Sequence, residues 1–229
     1  MVLWAPLAVK AVMNAVLAVC SMVRRDRRDA AAGTGYGATT EDGVNRVWRL
    51  FAVAAVLGVV LDQVTKIWIV SNLEYRTEHI DIIPGFFQLV HAQNPGAAFG
   101  FMGNLDEFTR VAIFMVITVI AVGVILDMVR KLPERATFLP LVLGTIFSGA
   151  LGNAIDRIHK QTVTDFLRFY TDNPEWVTWL RSYGLPPEYP SFNVADISLV
   201  VGVILFVGHS FFEQDEPEES PAEANGAEA

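Results

Sequence analysis

Four stretches of this chain, residues 49–70, 110–129, 136–155 and 194–212, are long and apolar enough to cross a bilayer, which takes about 20 residues as a helix. No water in the hydrocarbon satisfies a backbone N–H or C=O, so each stretch is confined to a helix. Composition agrees: 52% of the 229 residues are hydrophobic, and mean hydropathy is +0.38. The expected fold is therefore a mainly α membrane protein with four transmembrane helices.

The formal charge of −8 is a local property, because residues 213–229 alone hold seven acids and no base. The body is close to neutral and has no basic stripe, so no nucleic-acid partner is expected. The single cysteine, Cys20, excludes an internal disulfide and a multi-cysteine metal site. Four scattered histidines, His79, His91, His159 and His209, form no H-E-x-x-H pattern, and neither a metal nor a cofactor is expected.

Orientation follows from lysine and arginine in the short flanks. Arg46 and Arg49 precede the first span, and Arg130, Lys131 and Arg135 fill the link between the second and third. Those flanks are expected in the cytoplasm, with both ends of the four-helix domain and the tail. Residues 71–109 and 156–193 then lie outside. The first outer segment contains HIDIIPGFFQLVHAQ, short β-branched runs broken by Pro and Gly, which reads as a small sheet. The second contains PEWVTWLRSYG, in which Trp176, Trp179, Leu180 and Tyr183 share one helical face. That short helix either lies on the membrane surface or packs on the sheet.

Residues 1–44 read as an apolar and basic extension with a flexible linker, 45–212 as the membrane domain, and 213–229 as a disordered acidic cytoplasmic tail. The apolar residues 1–23 form a surface-lying helix, a fifth span or translated upstream sequence. Their RRDRR follows the apolar run, the reverse of a cleavable secretion signal.

Polar residues gather at one rim of this topology. Asp62 and Lys66 lie near the outer end of span one, Asn153, Asp156 and Arg157 at the outer end of span three, and Asn193 and Asp196 at the start of span four. Asp165 follows just outside. Ionisable groups in or beside lipid are costly and mark functional sites by default. Each has a plainer reading: Asp62 and Lys66, at i and i+4, pair structurally, and Arg157 anchors a helix at the headgroups. Their convergence is what favours function. A proton-coupled transporter would place such acids near the midplane.

The motifs LDQVTK (61–66), NPGAAFG (94–100), GNAIDR (152–157) followed by VTDF (163–166), and FNVADIS (192–198) resemble, in order and topology, the lipoprotein signal peptidases, or signal peptidase II. These are bacterial membrane aspartic proteases that remove signal peptides from diacylglyceryl-modified prolipoproteins. The resemblance spans about residues 45–212. It implies a catalytic pair, Asp165 and Asp196, supported by Asp62, Lys66, Asn94, Gly96, Asn153, Asp156, Arg157 and Asn193. It also implies a monomer in the bacterial cytoplasmic membrane, among membrane lipids, with prolipoproteins as partners and its site on the extracytoplasmic side.

The chemistry suits two carboxylates. Peptide hydrolysis without a metal or a nucleophilic side chain needs one group to deprotonate water and another to protonate the substrate, and two nearby aspartates share one proton. Asn153 and Asn193 offer amide donors that add no charge. A serine–lysine mechanism through Lys66 lacks a serine partner in the local sequence. The chain departs from the family in a longer stretch between the two aspartates, around NPEWVTWLRSYGLPPEYP. Trp176, Trp179 and Tyr183 of that insert are candidates for a lid.

Overall fold

The computed structural model describes residues 40–96 and 105–213. The expectations for residues 1–39, for Ala97 and Ala98 of the NPGAAFG loop, and for the tail beyond Glu213 lie outside the described residues. Within them the chain runs α1 (Thr40–Asn72), β1 (His79–Ile83), β2 (Phe87–Asn94), α2 (Glu107–Lys131), α3 (Phe138–Lys160), β3 (Val163–Phe169), α4 (Pro174–Ser182) and α5 (Val194–Glu213). α1 begins at Thr40, five residues inside the stretch read as linker.

Four helices are long and apolar enough to cross a membrane, over Arg46–Asn72, Glu107–Lys131, Phe138–Lys160 and Val194–Phe211. Their ends carry local signals. Asp106 caps α2 by accepting the Thr109 N–H at 3.0 Å, and Arg130 and Lys131 occupy its last turn before Pro133. α3 stops at Gln161, whose left-handed φ of 62° turns its N–H back to Arg157 O.

The bundle is apolar on its outside; inside, an apolar cluster of Val47, Phe51, Ile125, Val129 and Leu143 fills one end and polar groups fill the other. Val60, Val64 and Ile67 of α1, Val116, Ile117 and Ile120 of α2, and Val200 and Ile204 of α5 are exposed, whereas Asp62, Lys66, Asn153, Asp156 and Asn193 are buried. α3 is the central helix: half of its apolar stretch is buried, against 6% for α2, which leans on the outside. Glycine lets α3 approach both neighbours. A Cβ at Gly144 would lie 2.5 Å from Phe51 O of α1, and one at Gly202 of α5 would lie 2.5 Å from Ile146 Cγ1.

At the opposite end from the basic flanks, β1, β2 and β3 form an antiparallel sheet in that order. Phe166 packs one face of it onto Ile69 and Leu73 at the end of α1. The third strand comes from VTDFLRF, so Asp165 sits within a strand. Its register with β2 slips between Leu89 and Ala92, after which Ala92 faces Asp165 and Asn94 faces Val163. Because side chains alternate, this bulge puts Asn94 on the face that carries Asp165; an unbroken register would have opposed His91 to Asp165.

Inside the same end, Lys66 Nζ sits 2.9 Å from Asp62 Oδ2 and 3.2 Å from Asp156 Oδ2, and donates to Asn153 Oδ1 at 3.1 Å. All three ammonium protons thus have acceptors. Lys160 reaches the other Asp156 oxygen at 3.3 Å, so two acids meet two bases. Asp62 and Lys66 are 0% and 1% exposed, so removing one partner strands charge out of water. Lys66→Met is expected to destabilise the bundle by about 3–5 kcal/mol, read as a lowered Tm in detergent. Adding Asp62→Asn and Asp156→Asn should recover part of that loss, because the stranded carboxylates are removed with their cation.

Candidate active site

Asn193 and Asp196 are placed by the start of α5. Asn193 Oδ1 accepts the Asp196 N–H at 3.0 Å, and Asp196 Oδ2 accepts the Asn193 N–H at 3.1 Å. This is a reciprocal capping box, which explains the three-residue spacing of N-x-A-D. The Ala195 N–H between them, otherwise an orphan of the first turn, donates to Asp62 Oδ1 at 3.0 Å. One aspartate of α1 therefore holds both Lys66 and the head of α5.

The second asparagine joins the two candidate carboxylates. Asn153 Nδ2 donates to Asp196 Oδ1 at 2.8 Å. Asn193 Nδ2 donates to Asp165 Oδ1 at 2.7 Å and to Asn153 Oδ1 at 3.1 Å. Lysine is only a donor, so Lys66 on Asn153 Oδ1 fixes that amide's orientation and aims its nitrogen at Asp196. A continuous path thus runs from Asp165 through Asn193 and Asn153 to Asp196.

Asp165 is 3% exposed. Burial first, and then the Asp196 charge, push its carboxyl up to about 7, against the pull of hydrogen bonds from Asn193 and Asn94 and the charge of Lys66. Asn94 is itself held by the turn that follows β2, where its Oδ1 accepts the Gly96 N–H at 2.8 Å. Gly96 has φ of 83°, and a Cβ there would overlap the Phe114 ring of α2. Asp156 is turned away from the pair: its Oδ2 accepts the Thr164 N–H at 2.9 Å, which ties the end of α3 to β3. Arg157 lies over the Phe114 ring with its guanidinium carbon 4.2 Å from the centroid.

All ten site residues expected from the motifs therefore fall at one end of the bundle. Asp165, Asp196, Asn153 and Asn193 form one hydrogen-bonded group, Asn94 acts on Asp165 from β2, and Asp62, Lys66 and Asp156 support the group from behind. Sequence reasoning missed Gln63, whose Nε2 bridges Asp62 Oδ2 and Gly152 O at 3.0 and 3.2 Å. It also missed Lys160, Thr164 and Phe114. Gly152 stands inside the quoted GNAIDR, and its missing side chain is needed, since a Cβ would lie 2.5 Å from Asp62 Oδ2.

The insert sits at the far end of β3. α4 is capped by Asn173, which accepts the Glu175 N–H at 2.9 Å, and Trp179 packs on Tyr183 at 5.1 Å between centroids. Trp176, Trp179 and Tyr183 are all exposed. Trp176 and Leu180 wall an apolar groove of about 650 Å³ shared with Phe86, Phe169, Leu185 and Tyr189. The base of the insert is fastened: the Thr171 N–H donates to Pro187 O and the Tyr189 N–H to Phe169 O, both at 2.9 Å.

Comparison with known proteins gives the family. A family model described as Signal peptidase (SPase) II matches residues 54–212. The lipoprotein signal peptidase of Maridesulfovibrio salexigens is 41% identical over 158 residues, covering 69% of this chain and 92% of that protein. That of Symbiobacterium thermophilum is 41% identical over 160 residues, covering 70% and 93%. A solved bacterial membrane enzyme, determined by the in meso method at 1.9 Å, superimposes with a TM-score of 0.57 at 30% identity, covering 70% of this chain and 91% of that one. The chain belongs to the signal peptidase II family, as a multi-pass bacterial membrane peptidase that cleaves the signal peptides of lipoproteins.

Proposed function

We propose that the chain is an aspartic endopeptidase in which Asp165 and Asp196 activate water to cut diacylglyceryl-modified prolipoproteins at the extracytoplasmic face. The observation that carries this reading is the amide path joining two carboxylates, one of them held up to about 7 by burial. With one proton on the pair, the ionised aspartate takes a proton from water as its oxygen attacks the scissile carbonyl. The protonated aspartate donates to the carbonyl oxygen. The tetrahedral species then collapses: the aspartate that took the proton from water gives it to the leaving nitrogen as the C–N bond breaks, the other aspartate takes a proton back from a hydroxyl of the tetrahedral carbon as C=O re-forms, and the lipidated cysteine becomes the new N-terminus. The pair titrates as a unit, so the two roles belong to the dyad. Asn153 and Asn193 hold the carboxylates without adding charge.

Arg46, Arg49, Arg130, Lys131 and Arg135 mark the cytoplasmic end under the positive-inside rule. The sheet and the dyad are then extracytoplasmic, where a lipid-anchored cysteine presents its scissile bond. The enzyme works as a monomer among membrane lipids, and α4 serves as a lid that closes over the lipid-bearing substrate to exclude water.

In detergent with a lipid-modified prolipoprotein, Asp165→Asn and Asp196→Asn should each lower turnover by roughly three orders of magnitude or more, with insertion unchanged. Near-normal turnover by either would overturn the dyad. Wild-type turnover should fall as pH rises through about 7, where the shared proton is lost, and chelators should leave it intact. Sidedness is checked with single cysteines at Glu134 and Ser182 in a background lacking Cys20: impermeant thiol reagents on intact cells should label 182 and spare 134. Trp176→Ala combined with Trp179→Ala should raise KM more than it lowers kcat, whereas kinetics unaltered in both would remove the lid role.

A further inference from the structure

α2 carries none of the motif residues and is the least buried of the four long helices, yet one of its side chains reaches the site. Phe114 is half-buried and presents two surfaces. Its face lies under Arg157, 4.2 Å from guanidinium carbon to ring centroid. Its edge fills the space where Gly96 lacks a Cβ. Gly96 donates to Asn94 Oδ1 at 2.8 Å, and Asn94 in turn lowers the proton affinity of Asp165. Arg157 is within electrostatic reach of Asp196, Asp165 and Asp156, in that order of strength. Its hydrogen bond to Asn153 O, at 3.3 Å, stays inside α3, so besides these charges it is the ring that holds this cation, from α2.

We propose that Phe114 is a positioning residue for the active site: the face of its ring carries Arg157 and its edge backs the Asn94–Gly96 turn. One aromatic side chain thereby sets both a cation and an amide donor relative to the dyad. The role rests on the reading of Asp165 and Asp196 as the catalytic pair. Glycine at 96 is required twice over, for its positive φ and for room for the ring. An aromatic at 114 is required for a reason that volume alone does not meet, because an aliphatic side chain of similar size has no π face to attract a guanidinium.

The charged groups around Arg157 decide what loosening it would do. Asp196 of α5, Asp165 of β3 and Asp156 of its own helix face it, while Lys66 of α1 is committed to Asp62 and Asp156, and Lys160 to Asp156. A guanidinium held close favours the ionised dyad; one that drifts favours the protonated forms. Both limbs of the pH–rate profile then move to higher pH.

The test compares Phe114→Leu, which keeps much of the volume and loses the π face, with 3,4,5-trifluorophenylalanine at 114, which keeps the shape and weakens that face. Both are measured beside wild type and Asp165→Asn in the same detergent assay, with Tm recorded for each. Phe114→Leu is expected to lower kcat about tenfold with KM nearly unchanged, and to shift both pH limbs upward. The fluorinated ring should shift the limbs likewise with a smaller loss of kcat, because the Gly96 contact survives. Unshifted pH limbs in both variants, whatever their Tm, would reduce Phe114 to packing and overturn the proposal. Near-normal turnover by Asp165→Asn would instead overturn the dyad on which the proposal rests.

Discussion

The site depends on a lysine that has been taken out of water. Lys66 lies between Asp62 and Asp156, with Asn153 as its third acceptor, and it is 1% exposed. An ammonium in such a place is tolerated only where geometry satisfies every proton. Satisfying these three fixes α1 against α3 at one depth and one rotation. Asp62 then uses its second oxygen on the Ala195 N–H, so the first turn of α5 is set by the same ion group. Three helices are indexed by one buried cation, and neither carboxylate of the proposed dyad is spent in doing so.

That separation of tasks gives the asparagines their meaning. Asn153 receives the orientation imposed by Lys66 on its oxygen and passes it to Asp196 through its nitrogen. Asn193 caps α5 with its oxygen and holds Asp165 with its nitrogen. A charged residue in either position would have added its own field to the dyad, whereas a neutral amide orients without that effect. The larger influences on Asp165 are its burial and the neighbouring Asp196, which push its proton affinity upward against Asn193, Asn94 and Lys66.

The sheet and α2 close the site from the other sides. A bulge in β2 turns Asn94 to the face of Asp165, and Phe114 meets both the turn after Asn94 and the head of Arg157. The helix with the least buried surface thus contributes through one ring. The insert before α5 adds an apolar groove at the end of β3, and aromatic contacts run from Phe169 to Phe192, beside Asn193.

What the sequence determined by itself was whatever the chain decides locally. A span is defined by about 20 apolar residues because its backbone bonds close within the segment, and the four spans fall where those runs lie. The reciprocal cap from Asn193 to Asp196, the i, i+4 pair of Asp62 and Lys66, and the cap of α4 at Asn173 are likewise written in spacings of two to four residues. The motifs carried the candidate site residues in the same way, as short strings in a set order. Tertiary structure alone decided the rest. VTDFLRF becomes a strand because β2, some seventy residues earlier, offers an edge, and the bulge that selects Asn94 over His91 exists only in that pairing. Lys66 chooses Asp156 and Asn153 in addition to its helical neighbour only once α3 lies alongside. Phe114 is one apolar residue among many in α2 until folding puts Gly96 at its edge and Arg157 over its face. Strand pairing, charge burial and aromatic contact each require a partner distant in the chain, and residue spacing along a single segment holds no record of that partner.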